Sequence, residues 1–419
     1  MKNPTSHIFD FTPESLKVWC IERGMPAYRA AQILDWVYAR GVVDPAQMSN
    51  LAKRDRDVLL EEMTFLSGQT VLAQKASDGT QKLLVQWGDF EVGAGCRGDE
   101  VAREGEKGTS LRVLGSSPVH GGGLTTPSDS SRQTECVMIP VDADERDGEE
   151  GEGPTRSRRT ACISSQVGCP VGCKFCASGI GGLDGNLSAG RIVEQVWRLR
   201  SLLDSAGVRG GGGGGAGGGI ARISNVVFMG MGEPLANFQN VVRAVRTLNA
   251  PWGMGIGARK ITISTVGLPK AIEKLAEELE VPVTLALSLH APNDQIRRRL
   301  IPWAEYTTIP ELLSACQKWF EKTKREITLE YILLGGVNDR PEHARELAEF
   351  ARTVRGNVNL IRYNEVRGMP FVRPEDGDVL EFQRILRAAR VNTHIRASRG
   401  RDIAAACGQL RHEAGTTAA

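Results

Sequence analysis

The segment Ala161-Cys162-Ile163-Ser164-Ser165-Gln166-Val167-Gly168-Cys169-Pro170-Val171-Gly172-Cys173-Lys174-Phe175-Cys176 limits what the rest of the chain can build. Cys169, Cys173 and Cys176 have the spacing Cys-x3-Cys-x2-Cys, with no fourth cysteine close behind. A structural zinc wants four ligands and a closed shell. Three thiolates are enough to hold a 4Fe-4S cluster with one iron left open, and an open iron can bind a small molecule. A degenerate zinc knuckle, or cysteines that are merely buried, is the competing reading.

The 419 residues suffice for one large core and a smaller unit without cysteine staples. Nine cysteines, an odd number, and the lack of an apolar leader after Met1 suit a reducing cytoplasm. No run approaches the roughly 18 apolar residues of a membrane span. With 52 Lys+Arg against 50 Asp+Glu, nucleic-acid binding has to come from local patches. Arg156-Ser157-Arg158-Arg159, Arg297-Arg298-Arg299 and Arg396 to Arg401 are the candidates, each with a solvated surface run as its alternative.

Residues 1–64 read as a small helical accessory domain. Thr12-Pro13-Glu14-Ser15 is an N-cap followed by proline at the first helical position, and Gly24 ends that helix. Apolar faces follow at Tyr28, Ile33, Leu34, Trp36, Val37 and Tyr38, then at Leu51, Val58, Leu59 and Met63; these aromatics suit a core better than base stacking. Residues 65–159 form a connecting segment. It holds a β-hairpin turning at Asp78-Gly79, strand character from Glu135 to Val141, and two aperiodic insertions at 93–133 and 142–159. A third insertion, 207–219, has nine glycines from Gly210 onward broken only by Ala216, and lacks the lysine of a phosphate loop.

From residue 160 strands and helices alternate. Strands are expected near 160–164, 223–228, 260–264, 283–289, 326–334, 357–362 and 392–398. Between them lie helical patterns at Ile192–Leu203 (opened by Ser188), Phe238–Leu248, Leu268–Leu279, Ile309–Phe320, His343–Val354 and Val379–Ala389. The class is α/β with a parallel sheet, either an open partial barrel of six units over 160–400 or a doubly wound sheet. Both put active groups at the carboxyl ends of strands. The segment 401–419 follows, carrying Cys407.

Those strand ends are polar and glycine-rich. Gly230-Met231-Gly232-Glu233-Pro234 lets backbone approach a ligand and offers a carboxylate to an ammonium group. Ser264 and Thr265, then Ser288-Leu289-His290-Ala291-Pro292-Asn293-Asp294, then Asn364, close later strands and suit a ribose or carboxylate, with strand-end capping as the bland reading. Cys407 lies in a glycine-bounded loop where Arg399 and Arg401 would favour a nucleophilic thiolate. Cys162 is seven residues ahead of the cysteine cluster. Cys20, Cys96, Cys136 and Cys316 read as structural.

Taken together, Cys162 to Cys176, Gly230 to Pro234, Ser288 to Asp294, Gly336-Val337-Asn338-Asp339 and Ala405-Ala406-Cys407-Gly408-Gln409-Leu410 resemble a known family. It is the radical S-adenosylmethionine (SAM) family of dual-specificity adenine-C2 methyltransferases acting on large-subunit ribosomal RNA and transfer RNA. The resemblance covers nearly the whole chain apart from the three insertions. It implies a partial (β/α)6 barrel in which Cys169, Cys173 and Cys176 hold a 4Fe-4S cluster and Gly232, Glu233, Ser264, Ser288, Leu289, His290 and Asn364 contact SAM. It further implies that Cys407 becomes S-methylcysteine, that a 5'-deoxyadenosyl radical takes a hydrogen atom from that methyl, and that the carbon then adds to adenine C2. Glu135 would accept a proton and Cys162 would release the covalent adduct through a disulfide. The insertion at 142–159 stretches the Glu135 to Cys162 separation beyond the family pattern, so a strand glutamate is the competing reading for Glu135. The implied partners are RNA, with the target base turned out of its stack, and a reducing donor such as flavodoxin; a monomer with no membrane attachment is expected. The alternatives are a C8-adenine methyltransferase of the antibiotic-resistance type and a non-catalytic iron-sulfur or zinc RNA-binding protein.

Overall fold

Ten strands pair edge to edge in the order in which the chain makes them. They are β1 (Gly68–Lys75), β2 (Gln81–Trp87), β3 (Gln133–Val141), β4 (Arg158–Cys162), β5 (Asn225–Phe228), β6 (Ile261–Thr265), β7 (Thr284–Ser288), β8 (Ile327–Leu333), β9 (Asn357–Arg362) and β10 (Thr393–Arg396). This computed structural model describes residues 1–90, 124–125, 132–141, 158–205 and 222–410. The insertion at 207–219 lies outside the described residues, as do 93–133 and 142–159 apart from 124–125, 132–133 and 158–159.

The first four strands run antiparallel and β4 to β10 run parallel, so six crossovers join seven parallel strands. A doubly wound sheet reverses its strand order at a switch point, and this one does not. Because parallel crossovers take one hand, a sequential order sends every connecting helix to the same face and leaves a concave face free. That is the open partial barrel. The connecting helices are α4 (Ala189–Ser205), α5 (Phe238–Asn249), α6 (Pro269–Glu278), α7 (Asp294–Leu300), α8 (Ile309–Thr323), α9 (Pro341–Thr353) and α10 (Asp376–Ala388), preceded by α1 (Pro13–Glu22), α2 (Arg29–Leu34) and α3 (Lys53–Glu62). The short α7 has no counterpart in the sequence expectation. Its signal was Asn293, whose side chain accepts from the Ile296 amide at 3.0 Å and so caps the helix.

Local chemistry explains the boundaries. Thr12 and Ser15 form a reciprocal cap at the start of α1, and Thr308 and Glu311 do the same for α8. In the hairpin, Thr80 N donates to Asp78 Oδ1 at 3.0 Å, and Gly79 takes the left-handed conformation the turn needs. The hairpin does not stand apart: β2 pairs with β3, and β3 with β4, so it extends the barrel sheet.

The N-terminal helices share the barrel's hydrophobic core, with Trp19, Trp36 and Tyr38 buried in it and Tyr28 exposed. Their polar anchor is Glu194 on α4, wholly buried. It accepts from Ser67 N and Oγ (both 2.8 Å) and Gly68 N (3.0 Å), meets His7 Nε2 at 3.0 Å, and pairs with Arg198 at 2.8 Å. Burial alone would raise this carboxyl, but the Arg198 guanidinium and the His7 bond outweigh it and hold it down to about 2. Glu194→Gln is therefore expected to cost about 3–5 kcal/mol, because the partners stay buried without their counter-charge. The ionised pair stabilises the fold above the ordinary glutamate range, and that contribution is lost as pH falls from about 4.5 toward 2. Urea denaturation at pH 7 and pH 3 checks both statements: the variant should be weaker at pH 7, and the gap should narrow at pH 3.

Candidate active site

The free concave face holds one open cavity with about 840 Å³ of empty space, part of it continuous with solvent. Cys169, Cys173, Cys176, Gly232, Glu233, Ser264, Ser288, His290 and Cys407 all line it, together with Glu330 and Arg396. Leu289, Asn364, Cys162 and Glu135 do not, and their positions are given below.

The cysteine loop runs between a short ribbon, Gln166–Gly168 paired with Leu183–Asn186, and a 3-10 turn at Ala177–Gly179. Cys169 N donates to Gly182 O (2.9 Å) and Lys174 N to Leu300 O (2.9 Å), so the loop is pinned at both ends. Burial pushes the Cys169 thiol up to about 12, with the neighbouring thiol of Cys176 adding to it. Cys173 and Cys176 are raised for the same reasons, most strongly Cys173. Three thiolates here need a positive centre beside them. A closed zinc site would want a fourth ligand beside these three, and no fourth cysteine follows them in the loop. Three thiolates opening onto one cavity fit a multi-iron cluster bound through separate irons.

Opposite the loop, Glu233 caps a 3-10 turn. Its Oε1 accepts from Leu235 N at 3.0 Å and its Oε2 from Val266 N at 2.8 Å. Burial nevertheless raises it to about 7. Gly232 has φ of +102°, and a Cβ there would lie 2.7 Å from Gln166 Cβ, so only glycine brings this backbone past the Gln166 side chain. Ser264 and Ser288 Oγ lie 3.1 Å apart at the ends of β6 and β7. His290 accepts from Ile332 N through Nδ1 at 3.1 Å, and burial, with the nearby Arg297, lowers it to about 3. It is thus neutral, with its proton on Nε2. Leu289 is wholly buried in the core, and its N–H donates to Leu287 O (2.9 Å) and Glu330 O (3.1 Å). Asn338 is also wholly buried; its amide nitrogen donates to His290 O (2.8 Å) and Ile332 O (2.7 Å), so this part of the Gly336–Asp339 motif braces the histidine.

The segment carrying Cys407 lies over this site and is tied to three parts of the fold. Ala177 N donates to Gly408 O (2.8 Å) and Ser178 Oγ to Leu410 O (2.7 Å), fastening it to the cysteine loop. Asn364 Nδ2 donates to Cys407 O (3.3 Å) and Gln409 Nε2 to Glu365 O (3.1 Å), at the end of β9. At the hairpin turn, Ser77 N donates to Asp402 (2.8 Å) and Gly400 N to Asp78 (2.8 Å). Gly400 has φ of +68°, and a Cβ on it would lie 2.9 Å from both Ala405 and Thr80 side chains.

Cys162 ends β4 beneath this segment, in an apolar cluster with Val137, Met231, Ile403, Ala405 and Leu410. Burial pushes its thiol up to about 12, and the charge of Cys407 acts in the same direction. Glu135 is close to it despite the insertion. Val137 stands opposite Cys162 in the β3–β4 register, and Glu135 points to the same sheet face two residues away. Its carboxylate meets Lys82 Nζ at 2.6 Å, and Lys82 also reaches Ala404 O at 3.4 Å. Sequence reasoning missed Lys82 and Glu330. Glu330 is buried in β8, accepts from Asn359 at 2.9 Å and pairs with Arg396 at 3.3 Å; a carboxylate inside the apolar run Leu329–Leu333 was the available signal. Arg396 also lies within the field of Cys162 and Cys407. The guanidinium lining the cavity with Cys407 is therefore Arg396, where the sequence had offered Arg399 and Arg401.

A family model described as the ribosomal RNA large subunit methyltransferase N-terminal domain matches residues 6–64, and the radical SAM superfamily model matches residues 218–351. A Rhodopirellula baltica protein named "Probable dual-specificity RNA methyltransferase RlmN" is 37% identical over 410 residues, covering 98% of this chain and 92% of its own. The dual-specificity RNA methyltransferase RlmN of Dichelobacter nodosus is 35% identical over 406 residues, covering 96% of this chain and 93% of its own. The crystal structure of a radical SAM methyltransferase from Sphaerobacter thermophilus superposes with a TM-score of 0.78 at 35% identity, covering 97% of this chain and 100% of that one.

Because Glu233 is raised from 4.5 to about 7, the fold favours its protonated form; that contribution is complete below about 4.5 and is lost as pH rises through about 7. Thermal melting of the ligand-free protein should therefore show a fall in stability between pH 5 and pH 8 that is flatter in Glu233→Gln. An equally steep fall in the variant would assign the slope to another group.

Proposed function

The chain belongs to the RlmN family of radical SAM RNA methyltransferases, and from that premise we propose that it methylates C2 of an adenine in large-subunit ribosomal RNA and in transfer RNA, through a methylated Cys407. One observation carries the reading: a single cavity gathers the three cysteines, the Glu233 loop and Cys407, with Cys162 buried behind Cys407.

In this reading Cys169, Cys173 and Cys176 hold a 4Fe-4S cluster. Glu233 and Gly232, with Ser264, Ser288, Leu289, His290 and Asn364, hold SAM. When bound, cluster and SAM supply a transferable methyl and a carbon radical that can remove a hydrogen atom. Adenine C2 is electron-poor and does not attack an electrophilic methyl, so the carbon has to reach it as a radical. Cys407 carries that carbon: its Sγ loses a proton on taking the methyl, and the methyl then loses one hydrogen atom and bonds to C2. The adduct gives the C2 proton to Glu135, which Lys82 keeps in place, and returns the electron that a donor such as flavodoxin supplies. Cys162 then attacks Sγ of Cys407. A sulfur–sulfur bond forms as the sulfur–carbon bond breaks, and the released carbon gains the proton that the Cys162 thiol loses. An external thiol reductant opens the disulfide before the next cycle. Burial of Cys162 suits this late role, since a thiol held up at about 12 stays protonated in the resting protein.

The enzyme acts in this reading as a cytoplasmic monomer on RNA whose target base is turned out of its stack. Among the described residues no helix is long and apolar enough to cross a membrane.

Blocking release tests the scheme. Cys162→Ala should accumulate a protein–RNA adduct that survives a denaturing gel, with free methylated nucleoside reduced at least tenfold, while Cys407→Ala should give neither adduct nor product. Native-rate release by Cys162→Ala would contradict the scheme.

A further inference from the structure

Arg297 belongs to a run of three arginines that, as sequence, looks like a surface patch. Arg298 and Arg299 are exposed, but Arg297 is wholly buried. It sits on α7, the short helix against which the cysteine loop is fastened through Lys174 N and Leu300 O. The residues either side of it on the same face, Ile296 and Leu300, share an apolar cluster with Val171 and Phe175, and Cys169, Cys173 and Cys176 pack on that cluster. The Arg297 guanidinium donates to Thr307 O at 3.3 Å and to Val266 O at 2.5 Å, and its Nε has no partner. Among the described residues no carboxylate forms an ion pair with it. Asp294, one turn earlier, instead accepts from Ile309 N through its Oδ1 at 2.9 Å.

A buried cation held only by carbonyls is costly unless an anion lies close by. Burial works against the charge of the Arg297 guanidinium; an ionised Cys173 sulfur, and after it Asp294, would act in its favour. A cluster carried by three thiolates is negatively charged, and more so after it accepts an electron. We infer that Arg297 is the buried counter-cation of the cluster: it offsets the thiolate charge and raises the reduction potential, which eases entry of the electron that starts each cycle. The inference rests on the assignment of Cys169, Cys173 and Cys176 as cluster ligands. Arg297 touches no reacting atom in this account and acts through the cluster, as a positioning and tuning residue.

The test is a redox titration of full-length protein reconstituted anaerobically with iron and sulfide, followed by visible absorbance and electron paramagnetic resonance, for wild type, Arg297→Lys and Arg297→Gln. Iron and sulfide content establish loading first. Arg297→Gln should shift the reduction equilibrium against the reduced cluster by about tenfold, ~59 mV more negative for a one-electron couple, and Arg297→Lys should stay near wild type. If Arg297→Gln does not retain a cluster, retention by Arg297→Lys supports the same conclusion. A wild-type potential in Arg297→Gln overturns the inference. So does an Arg297→Lys protein displaced as far as Arg297→Gln, or equally unable to hold the cluster, since packing and not charge would then be at stake. Wild-type protein that takes up no 4Fe-4S cluster would overturn the ligand assignment beneath it.

Discussion

The sequential strand order governs this structure. With every strand beside its chain neighbours and every crossover of one hand, the helices cover one face of the sheet and cannot cover the other. The bare concave face must meet something besides a helix layer. Here it meets polar strand ends, a loop of three thiols and the chain's own C-terminal segment. The site is thus a consequence of how the sheet is wound.

The position of Cys407 follows from that geometry. A segment that opens with a 3-10 turn at Arg401–Ile403 is held by bonds to the cysteine loop, to the end of β9 and to the hairpin turn at Asp78. The hairpin, remote in sequence, therefore forms part of the frame around the candidate site. Lys82 extends the connection, since one ammonium group meets both Glu135 and the carbonyl of Ala404. Burial raises the thiols of Cys162, Cys169, Cys173 and Cys176, and the cationic groups nearby, Arg396 beside Cys162 and Arg297 beside Cys173, act in the opposite direction.

Much of this was legible in the sequence because period and punctuation report it directly. Strands near 225, 261, 284, 327, 357 and 393 were readable from alternation with helical faces, and the polar strand ends marked the side that would carry chemistry. Sequential order, as against a doubly wound order, was not readable, because both give the same local pattern. Arg297 shows the general limit. Its neighbours and composition mark a solvated run, and only the docking of α7 on the cysteine loop turns that one side chain inward. Glu135 shows the converse: the insertion that lengthens its separation from Cys162 connects two paired strands and leaves their register intact.

The most direct measurement of the central claim is anaerobic turnover of cluster-reconstituted protein with methyl-deuterated SAM, a reductant and unmodified ribosomal RNA, followed by mass spectrometry of the digested nucleosides against C2- and C8-methyladenosine standards. The account predicts a labelled C2 product. A C8 product, or SAM cleavage without any methylated adenine, would contradict it.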